Sequence, residues 1–94
     1  MTEQTTISFV VRGPIARPDL PGLCVRLRGE ITSHNARCAL CEVGGLGADA
    51  VAVDALARLR MTARRCGCVF QPRGWSRKLG DLVALMGLQE ILLD

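Results

Sequence analysis

Aromatic side chains are almost missing from this chain: two Phe, one Trp and no Tyr in 94 residues. Readers of single-stranded nucleic acid stack bases on aromatic platforms, so that class is disfavoured, and any core has to be aliphatic. Charge of one sign is not concentrated either. The 12 basic residues leave a net charge of only +3, and they are scattered from Arg12 to Lys78 rather than gathered into the basic stripe of a DNA-binding face. No apolar run approaches the roughly 18 residues needed to cross a bilayer, and the first twenty residues carry no basic, then apolar, leader. The expectation is a cytoplasmic protein without membrane insertion or nucleic-acid partner.

Catalytic signatures are lacking as well. There is no His-Glu-x-x-His, no phosphate loop ending in Gly-Lys-Ser/Thr, and no closely spaced carboxylate pair. The single histidine, His34, stands in a polar stretch with Ser33 and Asn35, read as a loop, with no Cys or acid beside it in sequence for a triad or a metal site. No enzyme and no cofactor are expected.

What is abundant is aliphatic. Hydrophobic residues make up 49% of the chain and charged ones 22%, a balance suited to a folded globular chain of one domain, residues 1–94, with a core spanning about 7–92. Five cysteines, an odd number, accompany an aliphatic content that suffices for a core, so reduced thiols are expected rather than a disulfide framework.

Periodicity divides the chain into alternating elements. Ile7 to Val11 is β-branched and aromatic and stops at Arg12-Gly13-Pro14, which predicts a strand. Leu20, Leu23, Cys24, Leu27 and Ile31 share one helical face, with Asp19 placed as its N-cap. Arg37 to Val43 predicts a second strand, broken by Gly44, Gly45 and Gly47. Ala52, Ala55, Leu56, Leu59, Ala63 and Cys66 then trace a second helix that stops at Gly67, with Asp54 and Arg58 paired on its outer side. Cys68 to Gln71 predicts a third strand, Pro72 to Gly74 a turn, and Ser76 a cap for a helix with Leu79, Leu82, Val83 and Met86 inward and Gly87 at its end. Ile91 to Leu93 is too short to assign. This order implies an α/β layer with a mixed, mostly parallel sheet and right-handed crossovers. In such sheets the loops after the strands gather at one edge, which puts Gly44 to Asp49 beside Pro72 to Ser76.

Two motifs compete for chemistry. Gly45-Leu46-Gly47-Ala48-Asp49-Ala50 has the form of a dinucleotide loop, but the acid about 20 residues on is missing and Asp49 sets a negative charge where phosphates would rest. Cys38-Ala39-Leu40-Cys41 with Cys66 and Cys68 supplies four thiols for zinc or redox chemistry. Residues three apart in a strand face opposite sides, however, so these thiols read as small core hydrophobes with no metal held. Trp75, lodged in a turn rather than on a periodic face, is either a lid on the core or a contact anchor.

From Ile7 to Leu92 the chain resembles the STAS domain, named for sulphate transporters and anti-sigma-factor antagonists. The likeness rests on a first strand closing on Arg12-Gly13-Pro14-Ile15, a second strand with a glycine-containing loop, Asp49 opening the second helix, Gly67 at that helix's end, and Gly87-Leu88. The resemblance implies a non-catalytic protein-interaction module in bacterial transcription or stress regulation. It implies a partner surface at Gly44, Gly45, Gly47, Asp49, Ala50, Val51, Asp54 and Trp75, and an anti-sigma factor, kinase-like regulator or sensor complex as partner. The family's phosphorylated Ser or Thr falls on Ala50, which has no hydroxyl, so binding is expected to be constitutive. Two alternatives stay open, a small STAS subunit binding a transporter ATPase and a cysteine-based zinc or redox protein. Self-association is open as well.

Overall fold

The computed structural model describes residues 5–88. Strand β1 (Thr6–Arg12) leads through a single 3₁₀ turn (Arg17–Asp19) into helix α1 (Leu20–His34), followed by β2 (Cys38–Gly45), α2 (Ala50–Arg65), β3 (Val69–Arg73) and α3 (Arg77–Leu85). The strands form one sheet in the order β1-β2-β3, and both pairings are parallel. The expected α/β layering is therefore present, with every described strand parallel rather than a mixed set.

The strand order decides where the core lies. Both crossovers step the same way across the sheet, so right-handed connections place α1 and α2 on one face. Burial along the strands alternates accordingly. Ile7, Phe9 and Val11, then Ala39, Cys41 and Val43, then Phe70 and Pro72 point under the helices, while Thr6, Ser8, Val10, Glu42, Val69, Gln71 and Arg73 are exposed on the other face. Small residues, Ala39 and Cys41, occupy the middle strand's inner face. They leave volume for the fully buried Leu27, Leu56 and Leu59, and Leu79 and Val83 of α3 close the same core.

Helix α2 buries Ala52, Ala55, Leu56, Leu59 and Ala63 as the spacing predicts, and Val53 too. Gly67 follows at φ +70°, and Gly87 ends α3 at φ +71°, the left-handed stops expected of both. Ser76 caps α3 by accepting from the Leu79 amide at 3.1 Å.

Other expectations are corrected. Asp19 does not cap α1. Its own backbone is helical and its carboxylate turns back to accept from the Ala16 amide at 2.8 Å, closing the preceding turn. Ser33 and His34 belong to α1, because the stop is Asn35 at φ 50°, a conformation that asparagine tolerates. Cys66 is the C-cap of α2, half-buried but still packed against the core at the end of the inward face. Pro72 lies within β3 and is buried, which an edge strand permits, so the turn starts two residues later, at Gly74 with φ +74°. Met86 is exposed because α3 ends before it, and Leu88 packs on the core in its place. Ile91 to Leu93 lies outside the described residues.

Candidate functional site

Glycine backbone lines the carboxyl end of the sheet. The Gly13 amide donates to the Gly45 carbonyl at 3.1 Å, and a Cβ on Gly13 would stand only 2.5 Å from that oxygen. A Cβ on Gly44 would stand 3.0 Å from the Gly74 carbonyl oxygen, and one on Gly45 3.2 Å from the Arg12 Cα. The ends of β1, β2 and β3 thus touch main chain to main chain, and side chains there would force them apart. This contact sets the loop after β2 beside the loop after β3, the juxtaposition expected of parallel strands.

From that edge the chain turns outward. Leu46 is buried and its amide donates to the Val43 carbonyl at 3.0 Å, which anchors the loop, while Gly47, Ala48, Asp49 and Ala50 are exposed. Asp49 is extended, at φ −140° and ψ 175°, and its Oδ1 accepts from the Ala52 amide at 2.9 Å. It is the N-cap of α2, offsetting the positive end of the helix dipole and taking an amide that a bound phosphate would need. Ala50 follows as an exposed methyl on the first helical residue, and Val51 is half-buried beside it.

Asp54, one turn on, is engaged on both oxygens. Arg17 Nη1 stands 2.9 Å from Oδ2 and Arg58 Nε 2.9 Å from Oδ1. The Arg58 pair is the i, i+4 contact expected from the sequence. Arg17 has no sequence signal, since the pair joins residues 37 apart and ties the turn after β1 to α2. Both pairs face solvent, where such bridges contribute about 0 to 1 kcal/mol, so their role here is to orient Asp54 inside the molecule. Trp75 is half-buried, and its indole lies across Gly80 of α3, where a Cβ would come within 3.5 Å of Cδ1. Packing over α3 accounts for its position next to the Gly44–Gly74 contact.

The cysteines are placed as strand geometry requires. Cys41 is buried under the helices and Cys38 lies on the opposite face. All five are free thiols. Burial, and then the neighbouring Cys68 and Cys38 sulfurs, push the Cys41 thiol up to about 12, and burial likewise raises Cys68. A thiol so disfavoured as a thiolate is a poor metal ligand or nucleophile. Among the described residues no three metal-ligating side chains converge, and no helix is long and apolar enough to cross a membrane.

Comparison with known proteins adds the fold. No family model matches the chain, and no curated protein matches its sequence. A solved structure does: the sulfate transporter family protein from Wolinella succinogenes is 19% identical, covering 93% of this chain and 70% of that one, with a TM-score of 0.64. That likeness, together with the parallel sheet and its helices, makes this an α/β domain of STAS-like fold.

Proposed function

We propose that the chain is a non-catalytic protein-binding module of the anti-sigma-factor-antagonist kind, working in the cytoplasm on a regulatory protein. Its contact surface is the loop Gly44–Asp49 with Ala50 and Val51 at the start of α2, bordered by Asp54 and Trp75. One observation carries the reading. Directly after the capping carboxylate of Asp49, at the exposed first residue of α2, the chain presents a methyl group. A phosphate at such a position adds about two negative charges beside Asp49 and changes what a partner can cover. Alanine cannot take it, so the surface stays permanently in its unmodified form.

The test is binding to a regulator captured by pull-down and then purified. Ala50→Asp is expected to weaken binding at least about tenfold, or about 1.4 kcal/mol, with an unchanged thermal melt, because the added carboxylate would be covered without a counter-ion. Ala50→Ser should bind like the parent. With a cognate kinase and ATP, the parent's intact mass should not change. Full affinity in Ala50→Asp would move the contact to another face.

A second reading has one observation in its favour, the structural likeness to a sulfate transporter family protein. In that case the same surface docks on a transport ATPase subunit. Recovery of the bound partner from detergent-solubilised membranes, rather than from the soluble fraction, separates the two.

A further inference from the structure

We propose that the outer edge of β1 is a self-association surface, on which a second copy of the chain lays its own β1 antiparallel and joins the two sheets into one. The Thr5 carbonyl and the Gly13 amide both point toward β2. Strand alternation turns Ile7, Phe9 and Val11 the same way, and directs the N–H and C=O groups of Thr6, Ser8 and Val10 outward. Among the described residues no strand pairs with them. The two sheet edges differ in how they are guarded. β3 has five residues and carries Pro72 and Arg73, devices that discourage strand addition. β1 has seven, with no proline and no charge before Arg12.

The edge opens into a groove of about 510 Å³ between Ser8–Val10 and the α1 residues Arg26, Gly29, Glu30 and Ser33. A Cβ on Gly29 would meet nothing within 4 Å, so the helix side of the groove has room. Charge selects a second copy as the occupant. The groove carries one cation and one anion a turn apart on α1: Arg26, whose guanidinium lies 5.4 Å from the Phe9 ring centre, and Glu30, which reaches His34 at 3.6 Å. A twofold axis at Phe9 runs the two α1 helices in opposite directions and sets one groove against the other, each with its Arg26 and Glu30 in reversed order. The same axis pairs each Ser8 with Val10 across the junction, where each residue donates one hydrogen bond and accepts one. The carboxyl ends of the two sheets then point apart, which leaves the start of α2 free on both copies.

Sedimentation equilibrium and light scattering from low micromolar to near-millimolar protein test this directly. The parent is expected to dimerise within that range. Ser8→Pro and Val10→Pro each remove only an outward-facing donor, and each should raise the dimer dissociation constant by about tenfold or more while the circular dichroism melt is retained. Arg26→Glu and Glu30→Arg should each weaken the dimer, and the double exchange should restore it. A readout on the parent needs no variant: hydrogen exchange at the Ser8 and Val10 amides should slow as concentration rises. A monomer throughout the range, a dimer indifferent to these substitutions, or concentration-independent exchange would each overturn the proposal. So would protection of those amides that arises only when a different protein is added. Ala50→Asp should leave the dimer constant unchanged, so failure here and failure of the binding surface are told apart.

Discussion

Gly13→Ala puts the backbone contact at the carboxyl edge to a quantitative test. The new methyl would sit 2.5 Å from the Gly45 carbonyl oxygen, well inside van der Waals contact, and the obstacle is main chain rather than a side chain that can swing away. To admit it, the ends of β1 and β2 must part by several tenths of an ångström, at the point where the Gly13 amide donates to Gly45. Overpacking costs about 1 to 3 kcal/mol and the weakened hydrogen bond about 0.5 to 1.5 kcal/mol. Against this, alanine restricts the unfolded chain and returns about 0.4 to 1 kcal/mol. The net expectation is a loss between about 0.5 and 4 kcal/mol, centred near 2 kcal/mol, which is a fall of about 8 to 16 °C in Tm for a domain of this size. Gly22→Ala is the matched control. It lies in α1 with nothing within 4 Å of the new Cβ, so it should stabilise by about 0.5 to 1 kcal/mol. Urea titration followed by far-ultraviolet circular dichroism reads both changes. If Gly13→Ala lost less than about 0.5 kcal/mol, or if the two substitutions shifted stability in the same direction, the close approach of the strand ends would be refuted.

Leu56→Ala and Leu59→Ala should each cost about 2 to 5 kcal/mol, since both side chains are fully buried and leave a cavity in the core; losses below about 1 kcal/mol at both would contradict that placement. Asp49→Ala should cost about 1 kcal/mol by removing the cap on the Ala52 amide, and Asp49→Asn should retain most of it, as thermal melts would show. Cys41 makes stability depend on alkaline pH. Its folded thiol holds its proton to about 12 against an ordinary value of 9.0, so above pH 9 the unfolded chain gives up a proton that the folded chain keeps. Stability should therefore be intact below pH 9 and decline as pH rises toward about 12, and Cys41→Ala should flatten that decline; an identical slope in the variant would assign it to other groups.

Elements built on local chemistry were legible in the sequence. The inward face of α2 from Ala52 to Ala63 follows from 3.6-residue spacing, Gly67 and Gly87 as stops follow from the freedom of glycine at positive φ, and Ser76 as a cap follows from its hydroxyl three residues before Leu79. Asp49 as the acid opening α2 followed from the resemblance to the STAS domain, and its carboxylate does take the Ala52 amide. Where local signals competed, the sequence misled. Asp19 could serve either the helix after it or the turn before it, and packing chose the turn. Pro72 reads as a strand breaker, yet among the described residues β3 is an edge strand with no neighbour on one side to need its missing donor. The Arg17–Asp54 pair, the bare contact of Gly13 with Gly45 and of Gly44 with Gly74, and the groove beside β1 join residues far apart in the chain. No spacing rule reaches across such separations. They exist because strand order β1-β2-β3 and right-handed crossovers put both connecting helices on one face and leave the other face of the sheet and the edge of β1 uncovered among the described residues.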